Sequence, residues 1–298
     1  MAIRITQNQL ANQFTNDVNN IYARMAKSQQ QVSDGRRITK PSDDPFGTGQ
    51  VMGFDTQLAD VRAYQENVSN SMSFMNSADA ALDSVTSALQ KIREKALQAA
   101  NGTNSIADRA SIAAEIIQLK EVVRDGMNAQ HGDTYIFGGT ATNGAPYPGP
   151  GNAYAGNGNT MTRRVGQGQS VTLNVPGDSV VGVAAPPAPG NTFDIIDQLV
   201  TDIQLGNFPG IQAGTALVVQ QEDTALNVRT QLGASYSRLE TLQTRLDLTE
   251  ERLLGARSEV ADVDSAEAYM QFQQQQTMYQ AALAAGTRIM QTSILDFI

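Results

Sequence analysis

Two adjacent carboxylates, Asp43 and Asp44, are the first residues whose types suggest chemistry, since paired acids serve general acid–base catalysis or hold a metal ion. No histidine, glutamate or glycine-rich loop stands near them in the sequence. Their setting, Pro41-Ser42-Asp43-Asp44-Pro45, reads instead as a helix start, with Asp44 at the N-cap and Pro45 in the first helical position. The single histidine, His131, would have to serve any Ser–His–Asp triad, and one histidine excludes a multi-histidine metal centre. It precedes Gly132-Asp133 at the end of a predicted helix, which suits a local cap or surface position. Gly149-x-Gly151 and Gly166-x-Gly168 lack the third glycine and the following helix of a phosphate-binding loop. Arg163-Arg164 fits a solvated face or a subunit contact, and Tyr147 with Tyr154 could stack on a sugar. No constellation of catalytic residues emerges, no cofactor is implied, and the expectation is a protein that is not an enzyme.

Composition narrows the field further. Thirty acidic residues against 21 Lys and Arg give a formal charge of −9, which argues against a nucleic-acid partner and against an anionic membrane surface. The chain has no cysteine, so disulfides, thiolate nucleophiles and cysteine-ligated zinc are excluded. Gln7, Asn8, Gln9, Asn12 and Gln13 occupy the place of a signal-peptide apolar run, and no segment reads as a spanning helix. The expectation is no membrane insertion and, if the chain is exported, a route without a cleaved signal peptide.

The elements that would carry these residues are set by a seven-residue repeat. Phe54, Val61, Val68, Met75, Leu82, Leu89 and Ala96 form one line, and Tyr64, Ser71, Ala78, Val85, Ile92 and Ala99 a second beside it. A strict period of seven keeps an apolar seam on one side of a helix and favours coiling against a partner. Residues 45–100 thus predict a helix of about 80 Å, at roughly 1.5 Å per residue. The period returns in Val218, Ala225, Leu232, Leu239, Leu246, Leu253 and Val260. Two such segments in one chain point to an antiparallel intramolecular pair, the alternative being that each seam meets another chain. Between them a helix is expected over roughly 106–130, with Asp108 in its first turn.

Residues 138–190 differ, holding seven of the ten prolines and twelve of the 25 glycines. Runs such as Val171–Val175 and Val180–Val183 between turn signals predict a small β-rich insert. The two ends form another matched pair: Leu10, Phe14, Val18, Ile21 and Met25 recur at steps of three or four, as do Tyr269, Phe272, Tyr279, Leu283, Met290, Ile294 and Phe297 at steps of three, four or seven. Between 265 and 298 the charged residues are Glu267, Arg288 and Asp296, and Gln273–Gln276 run consecutively. A helix coated in Gln, Ala, Ser and Thr suits a surface that other chains cover.

Several segments carry a family resemblance. Arg4-Ile5-Thr6-Gln7-Asn8, the segment Val32–Gly47 with Ser33-Asp34-Gly35-Arg36-Arg37-Ile38, Asp133–Thr140, Gly233-Ala234 with Arg238-Leu239, and the ending Ser293-Ile294-Leu295-Asp296-Phe297-Ile298 occur in order. Together they resemble the flagellin superfamily of bacterial flagella over residues 1–140 and 192–298, and Pro41-x-Asp43-Asp44-Pro45 is more similar to its hook–filament junction members than to filament flagellins. The resemblance implies a mainly α fold with a β-rich insert. In it, paired N- and C-terminal helices (1–44 with 262–298) form an inner tube, a long antiparallel coiled-coil-like bundle takes 45–138 with 192–261, and a small outer β domain takes 139–191. It further implies an extracellular structural subunit that self-associates into a ring, meets the first hook-associated protein and flagellin, and is exported by the flagellar type III apparatus with a cytoplasmic chaperone. The assembly contacts are then expected from Ile3, Ile5, Leu10, Phe14, Val18, Ile21, Met25, Tyr269, Phe272, Tyr279, Leu283, Met290, Ile294, Leu295 and Phe297. A short flagellin that forms the filament itself and a secreted module that binds a glycan or host protein through the insert are the two competing readings.

Overall fold

A computed structural model of the chain describes residues 7–149, 151–182 and 190–295. Helix α1 spans Gln7–Asp34, α2 Pro45–Ala99, α3 Ile106–Met127, α4 Asp178–Val181, α5 Thr192–Leu205, α6 Phe208–Ala261 and α7 Ser265–Leu295. Strands β1 (Gln130–His131) and β2 (Thr134–Tyr135) form one hairpin, and β3 (Thr162–Gly166) and β4 (Gln169–Thr172) another. The fold is mainly α with a small β insert. Two compact units divide it within the long helices: one takes the residues up to Asp60 and from Thr249 onward, the other takes Val61–Leu248.

In the first unit the chain is punctuated as helix chemistry requires. Gly35 ends α1 at φ +65°, donating its N–H to Gln31 O at 2.9 Å. Asp44 opens α2, its Oδ1 accepting the Gly47 N–H at 2.9 Å, with Pro45 next. Asp264 opens α7 by accepting the N–H groups of Ala266 and Glu267. Helices α1 and α7 pack antiparallel, with Tyr22 and Tyr279 ring centroids 5.9 Å apart and the Phe14 ring lying over Gly286.

The second unit holds the predicted seams. Val68, Met75, Leu82, Leu89 and Ala96 are buried along α2, and Val218, Ala225, Leu232, Leu239 and Leu246 along α6. Polar ties fix the direction of the pair. Gln65 reaches Asp247 (2.9 Å), Asp79 and Asp83 both take Arg229 (3.0 and 2.8 Å), and Arg93 takes Glu222 (3.1 Å). Partner numbers fall as the α2 number rises, so the two helices run antiparallel within one chain. The hydrogen bond that Arg229 donates to Asp79 leads the effects that hold its guanidinium above its ordinary pKa. Helix α3 starts on a reciprocal Ser105–Asp108 capping box and is tied to α2 by Lys95 and Glu115. It stops at Met127, short of residue 130, because the chain turns there into the first hairpin.

The insert belongs to this unit's core. Val165, Val171, Leu173, Val180 and Val181 are buried. Val180 and Val181 stand in the short helix α4, not in the strand expected of them. Pro176-Gly177 turns the chain there, and the Val181 N–H closes a helical turn onto Gly177 O at 3.0 Å. Of the expected strand at 171–175, only Val171 and Thr172 lie in β4.

Candidate assembly surface

The side chains that could join copies lie on α1, α7 and the corners that connect them to α2 and α6. On α1, Phe14, Val18, Ile21 and Met25 are half-buried along the line that faces α7, continued by buried Ser28. On α7, Ala268 and Gly286 are buried and Phe272 and Tyr279 half-buried on the matching line. Tyr269 (55 %), Leu283 (43 %), Met270 and Met278 are exposed. Leu10, Met290, Ile294 and Leu295 belong to the two helices, with side chains outside the description; Ile3, Ile5 and Phe297 lie outside the described residues. The seam is thin, with small or polar residues at Ser28, Ala268, Gln275 and Gly286. A face of exposed apolar side chains and glutamines, with Glu267 its one charge over the described side chains of α7, remains uncovered.

Asp43 and Asp44, the pair that first suggested chemistry, are consumed in holding the α1–α2 corner. Asp43 Oδ1 accepts Lys27 Nζ at 2.9 Å, and its Oδ2 accepts the Thr39 hydroxyl (2.9 Å) and the Lys40 N–H (3.1 Å). The Lys27 contact, then the Thr39 hydroxyl, hold the Asp43 carboxyl well below the usual carboxylate range. The Gly47 N–H, and after it Arg37, lower that of Asp44. Arg37 also donates to Val260 O at 2.8 Å, while the Arg37 and Val263 N–H groups bond Ala261 O and Gly35 O. The α1–α2 corner is thereby laced to the α6–α7 corner by backbone and side chain together.

A carboxyl whose folded pKa is depressed contributes stability in full above its unfolded value, about 3.9, and loses it as pH falls through the folded value. The Thr39 and Lys40 amides are expected to stay protected from hydrogen exchange at neutral pH and to lose protection progressively as pH falls from roughly 4 toward the depressed folded value of Asp43. Asp43→Asn is expected to bring that loss to neutral pH. Equal protection of these amides in Asp43→Asn and the parent would defeat the assignment.

Other sequence candidates take structural places. His131 Nδ1 pairs with Ser77 Oγ at 2.9 Å, and its ring meets Phe74 edge-on at 5.6 Å, so it anchors the first hairpin to α2. Arg164 lies over the Tyr64 ring at 5.9 Å. Tyr147 is fully buried and Tyr154 half-buried, their centroids 5.3 Å apart, so they do not form the open platform on which a sugar could stack in the competing reading. Burial pushes both phenols up. Sequence reasoning missed the ladder on α3, where Lys120 takes Asp197 (2.6 Å), Arg124 takes Gly149 O, and Asn128 exchanges two hydrogen bonds with the Tyr147 backbone. Among the described residues there is no group of three His, Asp or Glu placed to hold a metal, and no helix is long and apolar enough to cross a membrane.

The profile described as "Bacterial flagellin N-terminal helical region" matches residues 5–142, and that described as "Bacterial flagellin C-terminal helical region" matches 215–298. Flagellar hook-associated protein 3 of Salmonella typhimurium is 27 % identical over 99 % of both chains. Flagellin FlaB2 of Treponema pallidum is also 27 % identical, over 87 % of this chain and 86 % of its own. Among solved structures, a flagellar hook-associated protein from Vibrio parahaemolyticus aligns with a TM-score of 0.68 at 21 % identity, covering 74 % of this chain and all of its own.

Proposed function

The chain belongs to the bacterial flagellin superfamily, and we propose that it is the structural, non-catalytic subunit that joins hook to filament. The observation that carries this reading is the near end-to-end similarity to flagellar hook-associated protein 3, where the filament protein FlaB2 aligns over a smaller share. In this reading the α1–α7 pair, with its uncovered Gln-rich face, packs sideways against copies and relatives to form the inner tube. The contacts come from the positions on α1 and α7 named above, together with Ile3, Ile5 and Phe297. Residues 45–138 with 192–261 form the surrounding bundle and 139–191 the outer surface. The subunit works by meeting two lattices: a ring of copies receives the first hook-associated protein on one side and flagellin on the other. It reaches this extracellular site through the flagellar type III apparatus, without a cleaved signal peptide and with a cytoplasmic chaperone.

Deleting the gene is expected to leave hooks on the cell and release filaments into the medium, as seen by electron microscopy and by flagellin assay of the supernatant. Filaments that remain attached would sink the proposal. The similarity to filament proteins also supports a short flagellin, and filament seeds separate the two. A junction subunit is expected to add a limited cap, whereas a flagellin elongates seeds without limit.

A further inference from the structure

Beside the α1–α2 corner lies a cleft of about 130 Å³, floored by Ile38, Val51 and the 65 % exposed Met52, with Arg36, Lys40 and Arg257 around it and no acidic residue in its lining. Arg257 is held by Asp55 at 2.6 Å. The Arg36 and Lys40 side chains make no ion pair or hydrogen bond among the described residues. In a chain of net charge −9, two unpaired cations beside an exposed apolar floor call for a carboxylate standing next to an apolar side chain. Within this unit, two exposed carboxylates without a cation partner stand one helical turn from an exposed large apolar residue: Glu251 beside Leu254, and Glu267 beside Met270. Leu254 is seven residues before Ala261, which lines the cleft, so it faces the same side as the cleft itself. Met270 is 64 % exposed and two residues from buried Ala268, about 200° round α7 from the line that meets α1.

We infer that this cleft is the seat of Glu267 and Met270 of a second copy of the chain, the carboxylate between Arg36 and Lys40 and the thioether on Ile38, Val51 and Met52. The inference rests on the proposed self-association and supplies one of its contacts. A copy cannot fill its own cleft this way, because its Met270 stands about 200° round α7 from the line that meets α1, while the cleft is built by the residues that follow α1 together with Arg257 and Ala261 of α6. The contact is therefore heterologous, one surface of each copy meeting a different surface of the next, which is the kind that closes into a ring or continues as a helix.

The absence of cysteine makes the test clean. A Met52→Cys chain and an epitope-tagged Met270→Cys chain are produced together in cells lacking the parent gene, and isolated flagella are oxidised. The expected product is a mixed disulfide of one tagged and one untagged chain. Arg36→Glu with Lys40→Glu in the first chain is expected to lower its yield at least tenfold, and Glu267→Lys in the second to restore it. Attached filaments with no mixed disulfide, or a yield that the reversed charges fail to restore, overturn the inference and leave the proposed function standing. A photo-crosslinking residue at position 52 that captures a different flagellar protein, and not this chain, overturns it also. If gene deletion releases no filaments, the proposed function fails by itself. The same cysteine pair is then read in the concentrated purified chain, where absence of the mixed product overturns the contact.

Discussion

Phe193→Ala is expected to destabilise the unit formed by Val61–Leu248 by about 3–5 kcal/mol. Phe193 is fully buried in the first turn of α5, with the Tyr147 ring edge-on at 5.0 Å and the Arg124 guanidinium over its face at 5.4 Å. Truncation opens a cavity and also removes the platform on which Arg124 lies. That guanidinium holds Gly149 O and reaches Asn152 Oδ1, so the loop that closes the insert loses its anchor together with the ring. For a unit of this size the melting temperature should fall on the order of 10 °C, read by calorimetry or circular dichroism. Tyr147→Phe is the control with the opposite sign. Its hydroxyl is buried without a hydrogen-bond partner among the described residues, so removing it relieves a cost of about 1–3 kcal/mol. A Tyr147→Phe variant as unstable as Phe193→Ala would show that the hydroxyl is satisfied and the packing account wrong.

What the sequence makes legible follows from how far apart the interacting residues are. The α2 and α6 seams are visible because each depends on its own seven-residue period, whereas the direction of their pairing is fixed by ties between residues 182 and 129 positions apart, Gln65 with Asp247 and Arg93 with Glu222. The ends of α1 and the start of α2 are visible because Gly35, Asp44 and Pro45 act on backbone groups within four residues. The insert is where local reading fails. Its Gly and Pro content signals turns, yet the same turns carry Tyr147 under the α3 ladder, through partners 19 and 46 residues away at Asn128 and Phe193. At Val180 and Val181, β propensity yields to the turn at Pro176-Gly177 and to burial. The candidate assembly surface was half legible. The period on α1 and α7 names the positions, but whether a side chain faces the partner helix or solvent depends on a pairing some 270 residues distant. Phe14 and Tyr269 look alike in sequence, but Phe14 turns inward onto Gly286 and Tyr269 outward to solvent.

That same distant pairing decides what position 286 tolerates, because the Phe14 ring lies over Gly286. Glycine inside a helix costs about 1 kcal/mol against alanine, so local propensity alone favours replacing it. The structure reverses the sign. A Cβ at position 286 would overlap Cζ and both Cε atoms of Phe14, so any side chain there must push the ring out of the seam. Overpacking of this kind costs about 1–3 kcal/mol, against a pairing whose other contacts are half-buried side chains and small or polar residues. Gly286→Val is therefore expected to separate α1 from α7 and reduce swimming in soft agar to that of the gene deletion, with Gly286→Ala intermediate. Phe14→Ala makes room for the added methyl groups. The double variant Phe14→Ala with Gly286→Val should swim better than Gly286→Val alone, although Phe14→Ala by itself is a loss. Because each single change harms and the pair partly repairs, the measurement isolates the contact between the two helices from any general loss of stability. Wild-type swimming by Gly286→Val would mean that the ends of the chain do not pack on each other in the working flagellum, and the assembly surface derived from their pairing would fall with it.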